Sequence, residues 1–146
     1  MAEALAEIVC LPEPFDGERL REVVQAFEGK PGLWDRVDAS GGTKTVAETV
    51  FGHTFCRVLM DGAPVAFYVL YFYQGNEGTE AFVTAAHGRA KLDLCRVVLP
   101  LIERQCAGCS GVGMRTRRRG LVRKLGAAGY VTEHTQAGSV QMRKAL

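Results

Sequence analysis

The chain contains no long hydrophobic run. Its longest apolar stretch, residues 63–73, is about half of what a membrane-spanning helix requires. The first residues carry Glu3 and Glu7 and no basic cluster, so they do not read as a signal peptide, and the expected location is the cytoplasm, away from any membrane. No internal repeat and no low-complexity tract is visible. Cysteine is sparse and odd in number, at five, which argues against a fully paired disulfide framework; with no export signal, reduced thiols are expected. Cys10, Cys56 and Cys95 lie in apolar stretches and read as core residues. Charge of one sign is also scarce locally. Residues 1–86 hold 6 basic and 13 acidic side chains, a net of −7, whereas residues 87–146 hold 12 basic and 3 acidic ones, a net of +9. Asymmetry of this kind points to a polyanionic ligand for the second half, or to attraction between the two halves.

What is present is an ordinary globular composition: 146 residues, 47% apolar and 23% charged. That length fits one domain, 1–146, able to bury a core without staples. Residues 7–10 read as a strand ending before Pro12. Residues 16–27 have Leu20, Val23, Val24 and Phe27 at helical spacing, with Asp16 as cap and Gly29 as stop. Residues 31–42 form a Gly/Asp-rich connector, and residues 45–51 a short helix with Glu48 on its wet face.

The period then changes to that of strands. Residues 54–60, the turn Asp61-Gly62, residues 65–73 and residues 79–86 form an antiparallel meander. The aromatic run 65–73 is expected to be covered on both faces. Residues 92–106 are helical, with Pro100 as a kink. A strand at 111–116, a helix at 118–128 ended by Gly129, and a strand pair around Ala137-Gly138 complete the chain.

The most informative junction is Ala85-Ala86-His87-Gly88-Arg89-Ala90. It is a glycine-containing step from strand to helix, where exposed N–H groups and the helix dipole can cradle a phosphate or pyrophosphate. The same segment also reads more simply as a turn in which Gly88 supplies backbone freedom.

In this order of elements, in the hairpin Met60-Asp61-Gly62-Ala63-Pro64-Val65, and in the closing Leu125-Gly126-Ala127-Ala128-Gly129-Tyr130, the chain resembles the GNAT-type N-acetyltransferase superfamily. The family motif Gln/Arg-x-x-Gly-x-Gly/Ala would fall on residues 85–90, keeping Gly88 and Ala90 and losing the leading Gln/Arg. Arg117-Arg118-Arg119-Gly120-Leu121 also resembles small GNAT-like domains of phages and prophages. The resemblance implies an α/β fold with a mostly antiparallel, twisted central sheet of about 6–7 strands flanked by about four helices. It implies acetyl-CoA as co-substrate, no metal, and an amine acceptor on a small molecule or protein. Phe82, Val83 and Ala85 would pair with the pantetheine arm, and His87, Gly88, Arg89, Ala90 and Lys91 would meet the pyrophosphate. Glu80 is the implied base. The family's acidic tyrosine falls on Leu125, which donates no proton, so Tyr130 or His87 is left as a substitute. These losses keep open a catalytically silent domain that binds a protein partner.

Two further clusters stand out. Cys106-Ala107-Gly108-Cys109 lies at a helix C-terminus, where the dipole opposes a thiolate; with His53 and Cys56 it supplies the four ligands of a tetrahedral zinc site. Arg115, Arg117, Arg118, Arg119, Arg123 and Lys124 form a basic patch fit for a CoA phosphate, a nucleic-acid backbone or an acidic protein, or for simple solvation. No aromatic residue interleaves with it, which argues against stacking on single strands.

Overall fold

The computed structural model describes residues 7–30, 45–50, 52–88 and 94–146. Seven strands form one sheet: β1 (Ile8–Glu13), β2 (Thr54–Met60), β3 (Ala63–Gln74), β4 (Thr79–Gly88), β5 (Gly111–Thr116), β6 (Val131–Gln136) and β7 (Ser139–Ala145). Their order is β1-β2-β3-β4-β5-β7-β6. Every neighbouring pair is antiparallel except β4 and β5. Four helices are described: α1 (Gly17–Phe27), α2 (Val46–Val50), α3 (Leu94–Gln105) and α4 (Arg119–Ala127). This is the α/β architecture that the order of elements implies.

Alternation along the strands splits the core into two layers, because successive side chains point to opposite faces. Phe55, Phe67, Val69 and Ala85 pack under Val23 and Phe27 of α1 and Val50 of α2. Cys56, Val58, Tyr68, Leu70, Ala81, Val112, Met114 and Met142 pack under Val98, Leu99 and Ile102 of α3 and Leu125 of α4. Each fully buried side chain of this size contributes roughly 1.5–3 kcal/mol. Such packing is what holds α2, whose five residues are too few for a helix stable alone. A reciprocal cap assists it: the Glu48 N–H donates to Thr45 Oγ1 at 3.2 Å, and the Thr45 N–H donates to Glu48 Oε1 at 3.1 Å.

Turn chemistry follows the sequence. Asp61 and Gly62 both take positive φ, at 51° and 82°, as do Ala137 and Gly138, at 51° and 82°. These are tight hairpin turns of the kind that match strand twist. The side chain of Asp16 accepts from the Arg19 N–H at 3.0 Å, capping α1.

Three expectations are corrected. β1 runs through Pro12 to Glu13, because at the sheet edge a missing N–H costs nothing. β4 continues to Gly88, so His87 and Gly88 are extended and paired with Phe67 and Ala66 rather than forming a turn. The aromatic strand β3 is covered on both faces only at residues 67–70. β2 ends its pairing at Thr54 opposite Leu70, and beyond that point Tyr71, Phe72 and Tyr73 are 43%, 40% and 39% exposed. The expected connector 31–42, Phe51, and the junction residues Arg89, Ala90 and Lys91 lie outside the described residues. Among the described residues, no helix is long and apolar enough to cross a membrane.

Candidate active site

The two parallel strands at the centre of the sheet do not stay together. β4 pairs with β5 from Glu80–Gly111 to Val83–Met114 and no further. Beyond that, residues 85–88 pair only with β3, while Arg115 and Thr116 pair only with β7. The sheet therefore opens into a wedge between the C-terminal halves of β4 and β5.

At the apex of the wedge, β4 carries one residue more than β3. Leu70 pairs with Val83 and Val69 with Ala85, so Thr84 is a bulge. The Thr84 hydroxyl donates to the Val69 carbonyl at 3.3 Å and lies 3.3 Å from His53 Nδ1. His53 is placed by the end of α2: Gly52 takes φ 78°, and the His53 N–H donates to the Val50 carbonyl at 3.0 Å. Its ring stacks on Tyr71, with centroids 4.7 Å apart.

Glu80, at the start of β4, is 8% exposed and held by Arg143 of β7. Nε and Nη2 of Arg143 donate to its two oxygens at 2.6 and 3.0 Å. This charge-assisted fork holds the carboxyl below the usual carboxylate range, against the opposing effect of burial. The guanidinium reaches Glu80 by crossing β5 over Gly111, where an added Cβ would lie 2.6 Å from it. Tyr73, Glu77, Glu80, Glu133 and Arg143 line a shallow cavity of about 340 Å³. Burial and the Glu80 charge push the Tyr73 phenol up.

Tyr130 stands elsewhere. Arg143 and Lys144 are adjacent in β7 and point to opposite faces; Arg143 meets Glu80, whereas Lys144 meets Glu103 of α3 at 2.7 Å. The Tyr130 hydroxyl donates to the same Glu103 at 3.3 Å. Glu80 and Tyr130 are thus on opposite sides of the sheet, and the structure does not bring them together. Of the residues expected along the pantetheine arm, Phe82 and Val83 are opposite Gly113 and Met114 of β5, and Ala85 lies past β5 on the wedge. The His87 ring packs with Phe67 and Phe27 beneath α1, centroids 5.8 and 6.0 Å apart.

The four residues of the zinc alternative do not converge. His53 faces Tyr71 and Thr84, while Cys56 is in the opposite layer, where its sulfur accepts from Gln105 Nε2 at 3.2 Å. Among the described residues, no three His, Cys, Asp or Glu are arranged to hold a metal ion. Burial, with Cys109 adding to it, pushes the Cys106 thiol up to about 12. Arg117, Arg118, Arg119, Arg123 and Lys124 are exposed around the start of α4, immediately beyond the end of β5.

Sequence reading did not assign Thr84, Arg143 or a role for His53 on this face. The signal for Arg143 was present in β5, a strand written Gly111-Val112-Gly113, since glycine inside a strand marks close approach by another group.

No family model and no curated protein sequence matches the chain. Solved structures do. An aminoglycoside N(6')-acetyltransferase from Legionella pneumophila aligns at TM-score 0.65 and 9% identity over 93% of this chain and 91% of its own. PaiA N-acetyltransferase from Thermoplasma acidophilum, solved in complex with coenzyme A, aligns at TM-score 0.61 and 13% identity over 96% and 99%. A GNAT-family acetyltransferase from Streptococcus pneumoniae aligns at TM-score 0.56 and 13% identity over 96% and 100%. At such identities the likeness is one of fold, and the fold is that of the GNAT acetyltransferases.

Proposed function

We propose that this GNAT-fold chain is a single-domain, acyl-CoA-dependent N-acyltransferase. It would use acetyl-CoA as co-substrate and an amine, on a small molecule or a protein, as acceptor. The observation that carries this reading is the opening between β4 and β5 past Val83 and Met114. An opened strand edge is a template for an extended ligand bearing amides, because main-chain groups of residues 84–88 can pair with it as a further strand would. The pantetheine arm has that chemistry. Gly88 ends that edge, Arg89, Ala90 and Lys91 follow it in the chain as candidates for the pyrophosphate, and the exposed Arg117, Arg118 and Arg119 follow in the chain after β5, the strand on the other side of the opening.

On the face covered in part by α1 and α2, Glu80 and the neighbouring carboxylates offer negative charge to an acceptor that arrives as an ammonium. Glu80 itself is ionised and engaged by Arg143, which suits it to attract and orient a cation more than to take up a proton.

Thermal unfolding tests the reading. Acetyl-CoA at about 100 times its dissociation constant stabilises by roughly 2.7 kcal/mol, which raises Tm by several degrees. Free CoA should give a similar shift and ADP a smaller one, and Gly88→Glu should abolish it. Absence of a shift with all three ligands overturns the proposal. It would turn attention to the silent, partner-binding alternative, or to nucleic acid on the arginine patch if salt-dependent binding were found instead.

A further inference from the structure

We propose that the open half of the sheet face carrying Tyr71, Tyr73 and Glu80 seats the acceptor, and that this acceptor is an α,ω-diamine whose far ammonium rests among Tyr73, Glu77 and Glu133. The inference deepens the acyltransferase reading above and rests on it for the reaction. Its first ground is where the helices stop. On this face α1 and α2 pack against Phe55, Phe67, Val69 and Ala85, none of which is in β5, β6 or β7. Tyr71 and Tyr73 are left exposed, with their rings stacked 5.7 Å apart and 20° from parallel. Beside them the floor is low. An added Cβ at Gly113 would lie 3.3 Å from the Phe82 ring, and one at Gly111 2.6 Å from the Arg143 guanidinium, so both side chains lie flat over β5. An exposed aromatic strip of this kind suits a chain of methylenes.

The second ground is the charge where the strip ends. Glu77, Glu80 and Glu133 line one cavity with Tyr73 and Arg143, so three carboxylates face one guanidinium and the formal net charge is −2. Arg143 gives Nε and Nη2 to the two oxygens of Glu80, and Nη2 also donates to the Ser110 carbonyl at 3.2 Å. Glu77 and Glu133 act on Arg143 through their charge; among the described residues, neither forms an ion pair. Burial, then the charges of Glu80 and Glu133, push the Tyr73 phenol up, so Tyr73 adds a neutral ring to the cavity. An ammonium here meets an aromatic face and uncompensated carboxylates. The same charge disfavours an acceptor whose far end is a carboxylate or a phosphate.

The third ground is spacing. Glu80 and Thr84, the first residue of β4 past its pairing with β5, are four residues apart, which at about 3.3 Å per residue is roughly 13 Å. An acceptor whose reacting nitrogen enters the wedge and whose second nitrogen reaches the cavity bridges a length of that order. Extended 1,8-diaminooctane does so, and 1,3-diaminopropane falls far short. In the step, the lone pair of the near nitrogen forms the C–N bond at the thioester carbonyl, and the C–S bond breaks with its electron pair on sulfur. One proton of that nitrogen ends on the thiolate; where the near end arrives as an ammonium, its extra proton goes to water. One amine and one acetyl thioester give one amide and one thiol, and the far ammonium is unchanged.

Thiol release from acetyl-CoA tests this in the full chain, with 1,8-diaminooctane, n-octylamine, 8-aminooctanoate, 1,3-diaminopropane and n-propylamine as acceptors. The wild type should prefer 1,8-diaminooctane to n-octylamine by about 5-fold or more in kcat/KM, mostly through KM, as two exposed charge contacts and an aromatic face would give. The aminooctanoate should be poorer than octylamine, and the short diamine should show no such preference over propylamine. In the double variant Glu77→Gln with Glu133→Gln, the preference for the long diamine should fall to about 2-fold or less. Both side chains are exposed, so its melting temperature and the shift with acetyl-CoA should stay those of the wild type, which shows that it folds. No preference in the wild type, or a preference that survives in the double variant, overturns the proposal. Failure of the acyltransferase reading shows separately, as a wild type that acetyl-CoA does not stabilise and that releases no thiol. Calorimetric titration of both proteins with 1,8-diaminooctane then decides the cation site by itself: binding weakened by the substitutions keeps it, and absent or unaffected binding overturns it.

Discussion

Gly111 decides the site by lacking a methyl group. An alanine Cβ there would lie 2.6 Å from the Arg143 guanidinium. The tip of a long side chain can swing away at small steric cost, so the larger effect of Gly111→Ala is to take Arg143 off Glu80, a carboxylate only 8% exposed. Arg143→Met does the same directly. Each should destabilise by about 1–3 kcal/mol at pH 7, the range for leaving a buried polar group unpaired. The sign of the pH dependence follows from the pair: the Glu80 carboxyl is held below its ordinary value by Arg143. Its contribution is therefore present above the unfolded carboxyl range near pH 4.3 and is lost as pH falls through the folded value. Urea unfolding of wild type and Arg143→Met should show the full gap at pH 7 and a reduced gap near pH 3; an equal gap at both would mean that packing, not charge, is what Arg143 supplies. Cys106 gives a second residue-scale test. Burial and Cys109 hold its thiol protonated, and its side chain is 1% exposed. A disulfide exchange reagent at pH 8 should label it only at the rate of unfolding, and rapid labelling of the native chain would contradict that.

Among the elements, α3 carries the clearest conflict between local preference and tertiary structure. The helix spans Leu94–Gln105 with Pro100 inside it, on an exposed face. A mid-helix proline costs about 3 kcal/mol, and its restricted unfolded state returns about 0.4–1 kcal/mol. Pro100→Ala should accordingly stabilise by about 2 kcal/mol in urea; a loss of stability would mean that the packing of Leu99 and Ile102 depends on the proline. That the helix exists in spite of Pro100 was legible, because Leu99 and Ile102 keep a helical period across it. The hairpins were legible too, since Asp61-Gly62 and Ala137-Gly138 carry the turn chemistry in adjacent residues. What a strand's own sequence does not hold is where its partner stops. Tyr71 to Tyr73 read as core because they are apolar, yet β2 has already ended beside them. The wedge is the same kind of fact: it depends on β5 turning to β7 while β4 stays with β3. Of the expected cofactor segment, His87 and Gly88 extend β4 and pair with β3, and residues 89–91 lie outside the described residues. The Glu80–Arg143 fork joins residues 63 apart, and the His53–Thr84 contact joins residues 31 apart across an unpaired bulge residue, so neither leaves a local pattern to read.

For the whole molecule, the lopsided charge of the sequence has two explanations, attraction between the halves or an anionic ligand. Among the described residues, Glu13 and Glu22 of the first half pair with Arg57 of the same half, and Glu13 also with Arg19. Lys144 is paired with Glu103 inside the second half. Of the ion pairs described here, Glu80–Arg143 is the one that joins the two halves. The arginines that make the second half basic are instead exposed beyond the end of β5, where the sheet opens. On the function proposed above, acetyl-CoA would bring three phosphate groups to this end of the sheet. Exposed pairs are worth roughly 0.2–1 kcal/mol each, so replacing Arg117, Arg118 and Arg119 together by Gln should weaken acetyl-CoA binding roughly 3- to 100-fold. Stability without ligand should change by no more than about 0.5 kcal/mol, as for other surface substitutions. Screening supplies the control, because salt acts on exposed charges. Calorimetric titration should show wild-type affinity falling from low to moderate salt, with a flatter dependence in the triple variant. An unchanged affinity with an unchanged salt slope would mean that the phosphates bind elsewhere, and that the cluster does no more than solvate the start of α4.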